Sequence, residues 1–262
     1  MNTIKLMTDK IYTGNLILVN QNFSLQDFDT KELISFDMKF SHILMKREAA
    51  NALQMIFEKI GCYEKIVPVS GYRCPEEQMQ IYNTSLQENG EDFTKQYVAL
   101  PYHSEHQTGL AIDLGLKKEV IDFICPDFPY DGIGGEFRKL APDYGFIERY
   151  PKGKEQITGI SHEPWHFRYI GYPHSKIISE NGMTLEEYID FIKDFTYNKK
   201  YLQKEKDKKT IEIFYIPANK EGVTGISIPE EFLYQISGNN ADGFIVTLWR
   251  DINIKGGGRG NE

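Results

Sequence analysis

The string His162-Glu163-Pro164-Trp165-His166 matches H-E-x-x-H, and its central proline restricts what the segment can become. On a helix, two histidines four apart share one face and can grip a metal, with the glutamate beside it. Proline is tolerated only in a helix's first turn, and it biases the residue before it toward extended backbone. Trp165, Phe167 and Tyr169 follow, and Gly171 then stops the run. Residues 163 to 169 are therefore expected as a strand or extended segment rich in aromatics. His162 is then a bystander, and the match to the helical motif is accidental in its first residue.

A metal site made from two segments fits the sequence better. Four of the six histidines fall in two tight groups, His103 with His106 and His162 with His166. Between Gly109 and Gly115 the residues alternate: Leu110, Ile112 and Leu114 form an apolar back, Ala111 and Asp113 a small-plus-acidic front. His106 just before this strand, Asp113 on it and His166 about fifty residues later make a His/Asp/His set. Three protein ligands with one position left for water is the composition of a catalytic metal site; structural zinc is usually closed by four cysteines or histidines. Glu163, three residues before His166, is placed to act as general base.

The rest of the chain reads as an α+β fold, a small central antiparallel sheet with flanking helices. A helix is expected over 47–60, where Leu53, Ile56, Phe57 and Ile60 fall at helical spacing and Gly61 suits the position past its end. Residues 67–73 read as extended chain, and a second helix starts at Pro75 with Glu76 and Glu77 in its first turn. Residues 16–20 suit a short buried strand or extended segment, and 135–144 a weaker helix. Thr184-Leu-Glu-Glu187 is a capping box ahead of an amphipathic helix. Residues 198–209 are dominated by lysine and suggest a linker or solvated helix end. A strand at 211–216, a short helix at 229–237 and a strand at 244–249 then suggest a small α+β appendage. The expected organisation is a metal-binding domain over 1–200, the appendage over 208–254 and a disordered tail over 255–262. Phe232, Phe244 and Trp249 supply apolar surface that must bury somewhere, and a homodimer through the appendage is the expectation.

Composition excludes several roles. A net charge of −8 argues against a nucleic-acid partner, which needs a basic footprint. No stretch approaches the roughly 18 apolar residues of a membrane span, and Asp9 and Lys10 interrupt the start too early for a signal peptide. Cys62, Cys74 and Cys125 are odd in number and widely spaced, which suits small buried hydrophobes. A cytoplasmic protein is expected.

Three motifs occur in order: Ser70-Gly-Tyr-Arg-Cys-Pro-Glu-Glu-Gln78, Ser104-x-His106-x-x-Gly109-x-Ala111-x-Asp113, and Glu163-Pro-Trp-His166-Phe-Arg168. Together they resemble the zinc D-alanyl-D-alanine peptidases of glycopeptide resistance, the VanX, VanY and VanXY group, over roughly residues 16–192. The lack of a leader or anchor is more similar to VanXY than to membrane-bound VanY. The resemblance implies one zinc per chain on His106, Asp113 and His166, Glu163 as catalytic base and Arg73 as the oxyanion-stabilising arginine. It also implies substrate contacts from Ser104 and Gln78, and as substrates the dipeptide D-Ala-D-Ala and peptidoglycan precursors ending in it. A guanidinium fixed beside a metal would stabilise a developing oxyanion on physical grounds alone. Two alternatives stay open. One is a zinc-containing module that binds wall peptide without turnover, since the hedgehog signalling domain looks related in fold. The other is an H-E-x-x-H endopeptidase that uses His162.

Overall fold

The computed structural model describes residues 2–27, 30–220 and 222–251; the tail expected over 255–262 lies outside the described residues. In chain order the elements are β1 (Asn2–Met7), β2 (Leu33–Ser35), β3 (Leu44–Lys46), α1 (Arg47–Ile60), β4 (Ile66–Ser70), α2 (Pro75–Asn89) and α3 (Glu91–Tyr97). Next come β5 (Ala111–Leu116), α4 (Gly132–Leu140), β6 (Phe146–Tyr150), α5 (Glu155–Thr158), β7 (Glu163–Tyr169), α6 (His174–Asn181) and α7 (Leu185–Ile192). The last five are strands: β8 (Leu202–Lys206), β9 (Lys209–Pro217), β10 (Val223–Ile228), β11 (Leu233–Gly238) and β12 (Gly243–Asp251). The mixed α+β class expected from the sequence is found. No helix among the described residues is long and apolar enough to cross a membrane.

Contacts divide the chain into two compact units, residues 18–188 and residues 1–17 with 189–262. In the larger unit an antiparallel sheet of order β4-β5-β7-β6 carries the site. Its core face is the one the alternation predicted. Leu110, Ile112 and Leu114 pack with Phe167 from β7 and with Leu53, Ile56 and Phe57 from α1. Helix α1 buries that stripe at i, i+3 and i+4, and Gly61 ends it in the left-handed conformation a helix C-terminus favours. Phe57 meets Phe36 and Tyr63 edge-on, at ring distances of 5.1 and 5.3 Å. The capping box expected at Thr184 forms, and α2 has one that was not expected. Cys74 and Glu77 close a capping box on α2, and Thr184 and Glu187 exchange hydrogen bonds ahead of α7. Residues 16–19 are buried but form no strand.

The smaller unit holds a four-stranded antiparallel sheet of order β11-β12-β9-β8 and a two-stranded pair, β1-β10. Here two expectations are corrected. Residues 233–238 form strand β11, where a helix was expected over 229–237. The lysine-rich stretch expected as a linker contains β8. It turns into β9 through Asp207 and Lys208, both at positive φ (49° and 63°), the tight-hairpin geometry that matches strand twist. The aromatic surface that suggested a dimer is used within the unit. Phe244 is buried in its core with Phe214 and Ile226, Phe232 packs against that core, and Trp249 is half-buried. These side chains therefore supply no argument for a dimer.

Candidate metal centre

Asp113 and His166 are directly opposite each other on the neighbouring strands β5 and β7. Their side chains meet, with His166 Nδ1 2.8 Å from Asp113 Oδ1. His106 comes from a tight turn of 3₁₀ helix, Glu105–Thr108, which Gly109 closes at φ +70°. The left-handed backbone there favours glycine, and a Cβ would crowd the Leu33 side chain at 2.6 Å. That turn brings His106 Nε2 to 3.0 Å from Asp113 Oδ2. The ligand-type atoms of His106, Asp113 and His166 all lie within 4.8 Å of one another, and all three residues are buried.

Glu163 reaches the same cavity because β7 is irregular. Between the pairs Glu148–Phe167 and Tyr150–Glu163, one residue of β6 stands against three of β7. The strict two-residue alternation is broken there. Glu163 and His166, three apart, both line the cavity, with Glu163 Oε2 3.9 Å from His166 Nδ1. Arg73 lies between β4 and α2. Its backbone N–H donates to His106 O at 3.3 Å, and Gly71 O accepts from His106 Nδ1 at 2.7 Å. The loop that carries Arg73 is thus tied to the loop that carries His106. Arg73 Nε makes no hydrogen bond among the described residues, and the side chain lines the cavity.

Burial and charge set the protonation states. His106 is pushed down to about 4 by burial and by Arg73, so it is neutral at pH 7. Burial opposes the Asp113 charge, but the two histidines outweigh it and hold this carboxyl well below the usual carboxylate range. For His166 burial also disfavours the charge, yet the bond to Asp113 prevails and lifts it to about 9. Burial raises the Glu163 carboxyl to about 8. A metal must therefore displace a proton from His166.

The donor set fits a metal. Hydrogen bonding of His106 Nδ1 to a backbone carbonyl leaves Nε2 with its lone pair facing Asp113, the arrangement usual for ligating histidines. Two imidazoles and one carboxylate leave room for a fourth ligand. The cavity around them is small, about 40 Å³, with an apolar wall that includes Ile81, Tyr97, Val98, Ile160 and Trp165.

Of the residues singled out from sequence, Arg73, Ser104, His106, Asp113, Glu163 and His166 line this one cavity. Gln78 does not. It is fully buried and donates Nε2 to Ala99 O at 2.7 Å, and Ala99 is a lining residue. His162 stays apart on β7's approach, stacked on Tyr130 and hydrogen-bonded to its hydroxyl at 2.7 Å. His103 hydrogen-bonds Asn20 O at 2.7 Å. The helical H-E-x-x-H reading is excluded, because Glu163 to Tyr169 is a strand.

Sequence reasoning missed the buried charges behind the ligands. Glu105 pairs with Arg149 and Arg168, each at 2.8 Å, and Arg149 also grips Glu186 at 2.5 and 2.9 Å. Burial opposes the charge of Glu105, but the two arginines hold its carboxyl well below the usual range. The signal available was the arginine beside each aromatic run, in Glu148-Arg149-Tyr150 and His166-Phe167-Arg168.

An α+β sheet that presents two imidazoles, two carboxylates and an arginine to one buried cavity defines a metallohydrolase of the peptidase type. The chain belongs to the VanY D-alanyl-D-alanine carboxypeptidase family, whose model matches residues 42–172. That span contains all six cavity-lining residues named above. It is 44% identical to the bifunctional D-Ala-D-Ala dipeptidase and D-Ala-D-Ala carboxypeptidase VanXYC of Enterococcus gallinarum, over 68% of this chain and 95% of that protein. The solved vancomycin resistance D,D-dipeptidase VanXYg, in complex with a D-Ala-D-Ala phosphinate analog, is 62% identical. It superposes at a TM-score of 0.93, over 95% of this chain and 99% of that one. The match thus extends beyond the larger unit. A mutant VanY D,D-pentapeptidase from a VanB-type resistance cassette, in complex with Zn(II), is 30% identical at a TM-score of 0.54, over 67% of this chain and 98% of that one.

Proposed function

We propose that this protein is a zinc-dependent D,D-dipeptidase and D,D-carboxypeptidase. It hydrolyses D-Ala-D-Ala and removes the terminal D-Ala from peptidoglycan precursors, which supports glycopeptide resistance by destroying the terminus those antibiotics bind. The observation that carries this reading is the buried set His106, Asp113 and His166, with Glu163 and Arg73 in the same cavity. The names of VanXYC and VanXYg support the substrate class.

His106, Asp113 and His166 would hold one zinc ion. Zinc, when bound there, supplies Lewis acidity and lowers the pKa of a bound water. Glu163 takes the proton of the attacking water and later delivers it to the leaving amine. Burial in an apolar pocket raises the basicity of Glu163, which suits both transfers. Arg73 donates to the oxygen on which negative charge develops, and its unpaired Nε is available for that donation. Ser104, buried at the cavity wall, contacts the substrate. Gln78 acts through Ala99, whose carbonyl it holds.

The three free thiols agree with a reducing, cytoplasmic place of work. The direct test is D-Ala release from D-Ala-D-Ala and from a pentapeptide precursor ending in D-Ala-D-Ala. Release from both is expected. No release from either, with metal bound, sinks the proposal.

A further inference from the structure

Two fully buried arginines near the cavity take no part in the steps above, and both converge on one carboxylate. Glu105 and His106 are consecutive residues of the same 3₁₀ turn. The turn sends them to different partners, His106 to Asp113 and Glu105 to His166. Oε1 of Glu105 accepts from Arg149 Nε at 2.8 Å and lies 2.8 Å from Arg168 Nη1. Oε2 faces His166 Nε2 at 3.6 Å. Neither of those two buried atoms makes a hydrogen bond among the described residues, so each is the other's available partner. Arg149 is held in turn by Glu186, which also accepts from Asn20 Nδ2 at 3.0 Å. Arg168, two residues after His166 on β7, pairs across to Ala111 of β5.

We propose that Glu105 is the positioning residue for His166: its carboxylate, fixed by Arg149 and Arg168, holds the Nε2 proton and so turns the Nδ1 lone pair toward Asp113 and the metal. This inference rests on the zinc reading. A neutral imidazole carries one proton; both nitrogens of His166 face a carboxylate, Asp113 at 2.8 Å and Glu105 at 3.6 Å, and ligation through Nδ1 leaves the proton on Nε2, where Glu105 is the acceptor. A carboxylate acceptor also makes the opposite nitrogen a better donor. His106 is served the other way round, with Gly71 O on Nδ1 and Nε2 facing Asp113. The two rings therefore present different nitrogens, each set by its own acceptor. A lone carboxylate buried this deeply would not stay charged, which accounts for two arginines on one acid.

The test is the zinc dissociation constant of the folded protein, measured by competition with a chromophoric chelator. Glu105→Gln should bind zinc roughly 10–100-fold more weakly than wild type. Because an amide at this position would leave two arginines facing the single carboxylate of Glu186, the second variant is Glu105→Gln with Arg168→Gln, which restores the balance. The same loss is expected there. A purely structural role would lower the unfolding midpoint of metal-free protein and leave zinc affinity unchanged in whichever variant folds, which overturns the proposal. A third readout needs no variant. The ¹⁵N shifts of His166 in zinc-loaded wild type should show the proton on Nε2 and ligation through Nδ1; the reverse overturns it. Wild type that takes up no zinc defeats the functional reading, and this inference with it. Normal wild-type binding with unaltered variants defeats this inference alone.

Discussion

Glu163→Gln should stabilise the metal-free protein while destroying its activity. Burial lifts the Glu163 carboxyl from 4.5 to about 8 in the folded chain. The unfolded chain then loses its proton first. Between about pH 4.5 and 8 the folded state binds more protons than the unfolded state, so this group's contribution falls as pH rises through that window. At pH 7 the unfolded carboxyl is about 2.5 pH units past its midpoint. At about 1.4 kcal/mol per unit, the carboxylate costs about 3 kcal/mol of stability. Glutamine has the shape of the protonated acid and no proton to retain. Metal-free Glu163→Gln should therefore be more stable than wild type by about 2–3 kcal/mol at pH 7, a rise of roughly 5–10 °C in melting temperature. The gap should vanish near pH 4. Turnover should fall roughly 10²–10⁴-fold with zinc content unchanged, the range for losing a general acid–base group. Thermal melts of chelated protein from pH 4 to 8, beside steady-state kinetics of the zinc form, measure both effects. A variant less stable than wild type at pH 7, or a gap independent of pH, refutes the buried neutral carboxyl. Near-normal turnover refutes the proton-transfer role.

Further expectations can be checked in the same preparations. His106→Ala should lose its metal and His162→Ala should keep it, read as zinc per chain by emission spectroscopy; the helical motif would give the reverse. Arg73→Ala should lower kcat by roughly 10²–10³, with KM less affected, because an oxyanion donor acts mainly in the transition state. Burial pushes His174 from 6.5 down to about 3, with its Nδ1 2.6 Å from the Tyr188 hydroxyl. The unfolded chain thus binds the extra proton below about pH 6.5, and stability falls as pH falls toward 3. Urea unfolding should show a loss of about 2 kcal/mol between pH 7 and 5 from this group, and His174→Gln should flatten that slope.

The site was legible in the sequence where short-range rules decide backbone. Pro164 ruled out the helix, and alternation through Gly109 to Gly115 separated the core face from the Asp113 face. The cap at Thr184 follows from a three-residue spacing. The parts that were not legible depend on distant pairing. Pro229-Glu-Glu231 has the look of a helix start, but Leu233 to Gly238 gains a full antiparallel ladder with β12, and that tertiary gain outweighs local preference. Strand β1 pairs with β10 more than two hundred residues later, and nothing in either segment announces the other. The cluster of Glu105, Arg149, Arg168 and Glu186 comes from a 3₁₀ turn, two strands and a helix, with no common period. Charges this deeply buried are stable only because all four partners arrive together; removing one typically costs about 3–5 kcal/mol.

The central claim is that one zinc ion on His106, Asp113 and His166 makes this protein a D,D-peptidase. The most direct measurement is D-Ala release from D-Ala-D-Ala by protein stripped with a chelator and then titrated with zinc. Activity should be absent from the stripped protein and should return in proportion to zinc, with a break at one equivalent per chain. Release that persists without metal, or zinc uptake at one equivalent with no release, contradicts the account.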